Sequence, residues 1–449
     1  MSPMSRLDWK LPALCVAVFI LSAVVAWSVY GAMPHLEDEQ ANLFQAKVFA
    51  HGDLTAAAPR AQPRAFFIPF IITQNNQLFS KYPPGYSLLL APGALIGQPW
   101  IINALASALT VLAVYLLGRD LFDAHTGLLA AALGAIAPMF VLLSGALLSH
   151  VVTMALLTFF AWGFVRARRS GERHPMRFAA FAGAMIGLAA ITRPLTTVAV
   201  GAAFVILALI DLAQRRRGAW RSYALLLGVA ILIAEILPLY NTFVTGSAFT
   251  NTYALWWPTD RIGFGPGTGM APGGHDLKTA ILNFQLDFPD FGPMALGGPV
   301  IFGVALAWGM VLAALLLPPL SGRDWALMLP VLLLVAAHFA YWARGNGLYG
   351  PRYYAEAMPF LWLLGARGLI KLCRFTWPRR VIYVALPLYI AVTLALIIQP
   401  RFATSLAAYH GVRQDNAAMA RADLKHGRGN RGRPDVGAVV ERVVFLLGD

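Results

Sequence analysis

The sequence predicts an all-α protein whose helices cross a membrane about eleven times. Of its 449 residues, 58% are hydrophobic and only 12% are charged, which is about half the charged share of a typical soluble domain. The apolar residues also come in blocks of about 20, the length of helix that crosses a hydrocarbon core of about 30 Å. These two observations favour a polytopic transmembrane bundle over a soluble protein.

The first predicted span runs from about Leu11 to Tyr30, and a long polar-to-mixed segment, Gly31 to Tyr82, follows it. The remaining spans are predicted near residues 99–118, 127–144, 146–165, 178–192, 195–212, 223–243, 297–317, 325–342, 354–370 and 381–398. The apolar stretch Tyr86 to Gly97 is too short to cross alone, so it is expected to form a re-entrant or interfacial helix. One transmembrane domain is therefore predicted over residues 1–398, and a short hydrophilic tail over 399–449.

The net charge of +14 raises the possibility of a nucleic-acid partner, but its distribution argues against one. The basic residues cluster in short segments between apolar blocks, chiefly Arg166–Arg177, Arg215–Arg221 and Lys371–Arg380. Short basic loops are typical of the cytoplasmic face of a membrane protein. The predicted topology for a bacterial inner membrane thus has a cytoplasmic N-terminus. Residues 31–98, 245–296 and 343–353 and the tail then lie outside.

The first outside loop contains a predicted helix that begins near three acidic residues, Glu37, Asp38 and Glu39. Carboxylates at a helix N-terminus are stabilised by the helix dipole, so a purely structural acidic cap is one interpretation. The other is a carboxylate at the membrane surface that acts as a general base toward an acceptor hydroxyl. The apolar stripe of this helix predicts that it lies in the membrane interface.

Further along the same loop, Pro83-Pro84 forces an extended turn that holds Lys81 and Tyr82 just above the membrane. A snorkelling lysine beside an interfacial tyrosine would explain this pair without a function. Alternatively, Lys81 is a fixed cation for the phosphate of a lipid.

Arginines stand at two other positions on the outer face. Arg352 precedes Tyr353 and Tyr354 at the start of the tenth span, and Arg193 lies in the turn between the fifth and sixth spans. An aromatic belt explains the tyrosines, and a simple loop residue is as good an explanation of Arg193. Charges at membrane depth are costly and often functional, however, and the guanidinium matches a phosphate with two parallel donors.

The long loop 245–296 is rich in glycine and proline, which permits an irregular lid over the outer face. Its Gly273-Gly274 pair has no nucleotide-binding spacing, and no strand precedes it. His275 and Asp276 are expected to cap a helix over Leu277–Phe284, and no set of metal ligands can be assembled here.

Taken together, these segments resemble the GT-C superfamily of integral-membrane glycosyltransferases. Within it, the chain is most similar to bacterial relatives of the protein O-mannosyltransferases and the lipid A aminoarabinose transferases. The matching segments are DEQANLFQAKVFAHGDL from Asp38, KYPPGYSLLLAPG from Lys81, LLSHVVTM from Leu147, ITRPLT from Ile191, YNTFVTGS from Tyr240, GFGPGTG…GGHD, and GPRYYAEAMPFL…ARGL.

The resemblance implies inverting transfer of a sugar from a polyprenyl-phosphate donor to an acceptor hydroxyl at the extracytoplasmic face. It implies that Asp38 deprotonates the acceptor, with Glu39 as the rival. Lys81, Arg352, Tyr353, Tyr354 and Arg193 would then lie at the donor phosphate. Tyr82, His150 and His275 are further site candidates whose roles the resemblance does not specify.

The implied partners are the lipid-linked donor, the bilayer and an acceptor that is a glycan, a lipid or a protein. No D-x-D pair occurs on this face, so a divalent metal is possible but not required by the sequence. A transporter or flippase of lipid-linked envelope precursors is the alternative, although transporters typically show internal repeats and charges at the membrane midplane. A non-catalytic subunit of an envelope assembly complex is a third possibility, and it would tolerate the loss of Asp38.

Overall fold

The computed structural model describes residues 9–58, 68–169, 171–214, 219–297, 300–347 and 349–374, together with 391, 393, 395, 398–400, 403 and 404. The α-helices in this part of the chain are α1 (Lys10–Ser28), α2 (Glu37–Ala50), α3 (Pro84–Leu95), α4 (Trp100–Leu121), α5 (Ala124–Ala135), α6 (Pro138–Gly145), α7 (His150–Ala167), α8 (Pro175–Ala190), α9 (Pro194–Ala213), α10 (Ala219–Ala234), α11 (Ile236–Thr245), α12 (Thr252–Trp256), α13 (Leu277–Leu296), α14 (Val300–Leu316), α15 (Gly322–Phe339) and α16 (Met358–Leu372). A 3₁₀ helix, Arg352–Ala357, leads directly into α16.

The chain is a multi-pass membrane protein. Among the described residues, six helices are long and apolar enough to cross a bilayer, and a seventh span results if the bent pair α5–α6 counts as one. Two further apolar helices, α8 and α14, are shorter. The all-α class is confirmed. The count of about eleven stays a prediction, because the eleventh span (381–398) and the tail (399–449) lie almost entirely outside the described residues.

The apolar block predicted as one span over 127–144 is broken in the structure. Helix α5 ends at Ala135, and α6 begins at Pro138 in a direction that differs by 63°. Proline suits the first position of a helix, since its missing N–H group has no partner there, whereas inside a helix it removes one backbone hydrogen bond and clashes with the preceding turn. The break is therefore encoded by Pro138.

The first loop contains more structure than its sequence indicated. Helix α2 is enclosed on nearly every side, so it does not expose the polar face expected of an interfacial helix. A small antiparallel sheet lies beside it in the order β1 (Ala56–Ala57), β3 (Gln77–Ser80), β2 (Ile71–Gln74). Asn75 and Asn76 close the β2–β3 hairpin with positive φ angles of 51° and 56°, a conformation that asparagine tolerates.

The transmembrane helices pack so that α4 contacts α1, α5 and α7, while α7 and α10 flank α8, and α16 packs between α5 and α14. Helix α7 begins at His150 and carries Arg166 and Arg168 at its far end, which lies about 24 Å away at 1.5 Å per residue. We call the end that carries Arg166 and Arg168 the basic end. The opposite end of the bundle carries α2, the sheet and the long loops.

Candidate active site

A cavity of about 680 Å³ lies at the end of the bundle opposite the basic end. Its walls come from the start of α2, the turn before α3, the start of α7, the α8–α9 turn, α11, the segment around α12, the last turn of α15, the loop after it and the start of the 3₁₀ helix. Seven of the ten residues singled out from the sequence line it: Asp38, Lys81, Tyr82, His150, Arg193, Arg352 and Tyr353. Glu39, Tyr354 and His275 do not.

Asp38 lies in the first turn of α2 and faces the cavity, with 22% of its side chain exposed. Its Oδ2 accepts a hydrogen bond from Arg352 Nη2 at 2.8 Å, and its Oδ1 accepts one from the Tyr82 hydroxyl. Both partners come from distant parts of the chain, so three predicted residues meet at one carboxylate. The two bonds fix the orientation of Asp38 toward the cavity.

Glu39, the neighbouring residue, points into the protein and is fully buried. Its Oε1 accepts a hydrogen bond from the Tyr349 hydroxyl at 2.9 Å, and its Oε2 accepts one from the backbone N–H of His35 at 3.1 Å. The second bond ties the third residue of α2 to the segment before the helix, since His35 directly precedes the N-cap residue Leu36. Burial raises the pKa of Glu39 to about 7. The structure thus supports the capping interpretation for Glu39 and leaves the cavity to Asp38.

Lys81 is held in a cage of aromatic rings and is only 3% exposed. Its Nζ lies 3.5 Å from the ring centre of Phe70 and 4.4 Å from that of Trp257, and Tyr253 lies slightly farther away. Burial lowers the pKa of Lys81 to about 8, although the nearby carboxylates Asp38 and Asp260 oppose this shift. Among the described residues, no carboxylate oxygen lies within 4.0 Å of Nζ. The cation is therefore oriented by ring faces rather than neutralised by an ion pair.

Two sequence motifs of the site pack directly on each other at Gly85. Its N–H donates to the carbonyl oxygen of Ile191 at 2.9 Å, and a Cβ atom at this position would lie 2.6 Å from that oxygen. Only glycine permits this approach. The contact fixes the turn that carries Lys81 against the turn that carries Arg193.

Arg193 and His150 both contact one buried carboxylate, Glu356. The Nε atom of Arg193 lies 3.0 Å from Glu356 Oε1, and Nδ1 of His150 lies 3.1 Å from the same oxygen. The second oxygen of Glu356 is buried without a hydrogen bond in the part of the chain that the structure describes. Glu356, which lies in the 3₁₀ helix, thus connects this helix to α7 and to the α8–α9 turn.

The 3₁₀ helix separates the side chains of its first three residues. Arg352 reaches Asp38, and its Nε is buried with no hydrogen-bond partner among the described residues. The Tyr353 ring stacks on His338 with ring centres 5.3 Å apart and lines the cavity. Tyr354 instead packs against Phe291, with centres 5.2 Å apart, in the bundle interior. Of the predicted tyrosine pair, only Tyr353 is at the cavity.

His275 also lies away from the cavity. Its ring stacks on Phe264 at 5.2 Å, and its Nε2 lies 3.2 Å from the carbonyl oxygen of Phe339. Asp276 accepts a hydrogen bond from the backbone N–H of Thr279 at 2.7 Å, which confirms it as a helix cap. The helix that it caps, α13, continues to Leu296, well beyond the predicted end at Phe284.

The cavity residues that were not identified from the sequence include Asp260, His338 and Asn241. Asp260 follows α12 in the irregular part of the lid, and His338 lies in the last turn of α15. Asn241 belongs to the YNTFVTGS segment, but nothing in the pattern distinguished it from its neighbours. The described residues contain no group of three or more His, Cys, Asp or Glu side chains arranged to hold a metal ion, and we assign no metal ligands.

Comparison with solved structures identifies the architecture. ArnT from Cupriavidus metallidurans, solved with undecaprenyl phosphate bound, is similar over 99% of this chain and 75% of its own, with a TM-score of 0.60 and 16% identity. The fold is the GT-C fold.

Other comparisons agree with this fold. An Archaeoglobus fulgidus oligosaccharyltransferase tethered to an acceptor peptide is similar over 97% of this chain and 59% of its own, with a TM-score of 0.52 and 17% identity. Residues 83–240 match the family model described as dolichyl-phosphate-mannose-protein mannosyltransferase. No curated protein sequence matches significantly. The GT-C resemblance predicted from the sequence is thereby confirmed.

Proposed function

We propose that this GT-C protein is an inverting glycosyltransferase that moves a sugar from a polyprenyl-phosphate donor to an acceptor hydroxyl. The observation that carries the proposal is the meeting of Asp38, Lys81 and Arg352 in one cavity. A base and two cations in one site are what the displacement of a sugar from a phosphate requires.

The cations would bind the donor phosphate and stabilise it as it leaves. Lys81 has no carboxylate within ion-pair distance among the described residues, and Arg352 has donor capacity beyond its bond to Asp38. Negative charge on the phosphate oxygen grows as the bond to the sugar breaks. Fixed cations in a site of low polarity are most effective at stabilising such developing charge.

Asp38 would act as the base. The acceptor hydroxyl gives its proton to the free electron pair of the Asp38 carboxylate, and its oxygen forms a bond to the anomeric carbon. The bond from that carbon to the phosphate oxygen breaks, and polyprenyl phosphate leaves with the bonding electrons. Because attack and departure occur on opposite faces of the carbon, the configuration inverts. The bonds from Tyr82 and Arg352 hold the carboxylate in position for this step.

An apolar part of the cavity wall is suited to the prenyl chain. Leu195 of α9 and Leu237 of α11 line the cavity, and outward-facing residues of the same helices, Val198 and Leu239, are 70% and 68% exposed. Large exposed apolar side chains on spans face lipid. A prenyl chain lying between α9 and α11 would therefore remain in contact with the bilayer while its phosphate reaches Lys81.

The basic end supports an orientation for the site. Arg166, Arg168 and Lys371 lie at that end, and the positive-inside rule favours a cytoplasmic location for such residues. We therefore propose that the cavity lies at the extracytoplasmic face of a bacterial inner membrane. We assign this activity to the transmembrane domain 1–398 and propose an extracytoplasmic location for the tail 399–449.

The test is turnover by the full-length protein in nanodiscs. The donors are radiolabelled undecaprenyl-phosphate sugars, and the acceptors come from an envelope extract that contains glycans, lipid A and membrane proteins. We expect transfer of label by the wild type and a rate about 10²–10⁴-fold lower for Asp38→Asn, since this range is typical of a lost general base. The matched control is Asp53→Asn, which changes an exposed carboxylate of the same loop and should leave the rate unchanged.

Two results would overturn the proposal. One is the absence of transfer from every donor by a folded wild-type protein. The other is an Asp38→Asn variant that is as active as the wild type. In proteoliposomes, movement of an intact donor across the bilayer without sugar transfer would instead support the flippase alternative.

A further inference from the structure

The cavity contains a second carboxylate, Asp260, that the proposed reaction does not use. It lies in the lid segment between α12 and α13 and is 4% exposed. Its Oδ1 accepts two hydrogen bonds, one from the Tyr341 hydroxyl at 2.7 Å and one from Trp342 Nε1 at 3.0 Å. These bonds tie the lid to the loop after α15 and fix the direction of the carboxylate.

The other oxygen, Oδ2, accepts no hydrogen bond from the described residues, although Asp260 lines the cavity. A carboxylate has about four acceptor sites on its two oxygens, and buried polar groups are nearly always satisfied. Both of its donors, Tyr341 and Trp342, are neutral, and no ion pair to Asp260 occurs in the part of the chain that the structure describes. Asp260 therefore presents an oriented, charged acceptor to whatever occupies the cavity.

The position of Asp260 relative to Lys81 suggests what that occupant is. The backbone N–H of Asp260 donates to the carbonyl oxygen of Trp257 at 2.8 Å, and the ring centre of Trp257 lies 4.4 Å from Lys81 Nζ. Asp260, Lys81 and Asp38 all line the same cavity. In the donor, the sugar is attached directly to an oxygen of the phosphate, so a phosphate bound at Lys81 would hold the sugar beside it. The sugar would then lie within reach of both carboxylates, with Asp38 at the reacting carbon.

Aromatic rings connect the two groups. Trp257 is a wall of the Lys81 cage, and its ring centre lies 6.1 Å from that of Trp342. Trp342 in turn donates its hydrogen bond to Asp260. Flat apolar rings with a few placed polar groups are the usual lining of a small-molecule site. The C–H faces of a sugar ring can pack on such aromatic rings, and its hydroxyls can bond to the polar groups.

We propose that Asp260 recognises the transferred sugar. Its Oδ2 accepts a hydrogen bond from a hydroxyl or ammonium group of the sugar, while Trp257 and Trp342 pack against the ring. The inference rests on the proposed function and adds to it a residue that sets sugar specificity. In this proposal Asp38 deprotonates the acceptor, Lys81 binds the phosphate and Asp260 binds the sugar.

The test separates binding of the sugar from binding of the lipid phosphate. Full-length protein in nanodiscs is titrated with undecaprenyl phosphate alone and with undecaprenyl-phosphate-linked mannose, glucose and 4-amino-4-deoxyarabinose. In the Asp260→Asn variant the amide oxygen can still accept from Tyr341 and Trp342, so the tie to the lid is kept. Asp276→Asn is the control, because it changes a lid carboxylate outside the cavity and asparagine also caps helices.

We expect Asp260→Asn to bind the sugar-free lipid as the wild type does and to bind the preferred donor about 10–100-fold more weakly, the range for a lost hydrogen bond to a charged group. A loss confined to the amino sugar identifies an ammonium partner, whereas a loss for neutral hexoses identifies a hydroxyl.

Three results would overturn the inference. Equal weakening for the sugar-free lipid and the donor would make Asp260 part of the phosphate site or of the fold. Unchanged binding with lost turnover would make it an acid or base. Unchanged binding and turnover would give it no part in recognition. In each case, sugar transfer by the wild type would still support the proposed function. A wild type that is inactive toward every donor would contradict both the proposed function and the role of Asp260.

Discussion

The two ends of the helical bundle treat charge differently. At the basic end each buried carboxylate has several partners. Asp324 contacts Arg367 at 3.2 Å and Lys371 at 2.9 Å, and Asp211 accepts from Arg168 at 2.6 Å and also from Tyr223. At the cavity end, among the described residues, Lys81 is enclosed by rings without an ion pair, and Arg352, which lines the cavity, has an Nε without a hydrogen-bond partner.

This difference distinguishes charged groups that stabilise the fold from charged groups that can still bind a ligand. A buried charge is costly unless it is paired, so complete pairing indicates a structural role. Incomplete pairing at a cavity leaves interaction capacity that a substrate can use, and strongly perturbed groups are therefore functional candidates. The comparison predicts that substitutions at the basic end change stability, whereas those at the cavity end change binding and turnover.

The largest expected effect is at Asp324. The Asp324→Asn substitution leaves Lys371 and Arg367 without their carboxylate in a buried place, and we expect a loss of about 3–5 kcal/mol in the free energy of unfolding. Denaturation of the purified protein in detergent measures this loss. Arg119→Gln is the control, because Arg119 is 39% exposed and its ion pair with Asp120 spans 3.6 Å; such pairs contribute about 1 kcal/mol at most. Equal stability of the two variants would contradict the structural role of the Asp324 cluster.

A smaller effect, confined to binding, is expected at Lys81. The Lys81→Met substitution keeps the aliphatic stem and removes the charge, so undecaprenyl phosphate should bind about 10–100-fold more weakly, as for other hydrogen bonds to charged groups. The exposed Lys278 of α13 provides the control substitution Lys278→Met, with no expected effect. Unfolding should be unchanged in both variants. A Lys81→Met protein that binds the lipid as well as the wild type would remove Lys81 from the phosphate site.

The same lysine gives the binding a pH dependence. In the proposed site Lys81 attracts phosphate only when protonated, and burial lowers its pKa to about 8. An undecaprenyl-phosphate sugar is a phosphodiester and does not titrate near neutral pH, so its affinity should be constant below about pH 7. The affinity should fall as the pH rises through 8, by up to about tenfold per unit, because binding then requires uptake of a proton. In Lys81→Arg the guanidinium stays charged, so the fall should disappear. An equally steep fall in Lys81→Arg would assign the titration to another group.

The smallest effect is expected at Glu39. Its pKa is raised to about 7, so a neutral side chain is already well populated at neutral pH. The Glu39→Gln amide can keep the bond from Tyr349 and loses at most one other hydrogen bond, worth about 1 kcal/mol. Turnover should stay within about threefold of the wild type. A loss as large as that expected for Asp38→Asn, in a protein that remains folded, would make Glu39 the base.

The sequence predicts the membrane class and most helix positions because the length of an apolar block alone decides whether it can span a bilayer. It does not reveal the break at Pro138, since apolar residues continue on both sides of the proline. The small sheet is also missed, because strands of two and four residues carry too few positions to show an alternation.

Only some residues of the site can be identified from the sequence, because only some have a local signal beside them. Lys81 and Arg352 stand out locally, the one beside a proline pair and the other at the start of a span. Asp260 stands beside no such signal, and its partners Tyr341 and Trp342 lie about 80 residues away along the chain. Adjacent residues on a helix point about 100° apart. Sequence therefore could not decide which of Asp38 and Glu39 faces the cavity, since that depends on how α2 packs.

The wall formed by α9 and α11 has a kinetic consequence. A donor that enters past Leu195 and Leu237 arrives by lateral diffusion in the bilayer, so the quantity that governs its capture is the number of donor molecules per unit of membrane area. Adding donor-free phospholipid to proteoliposomes that hold a fixed amount of enzyme and donor should slow the reaction, although every bulk concentration of reactant stays the same. The membrane is then the solvent in which the second-order encounter takes place.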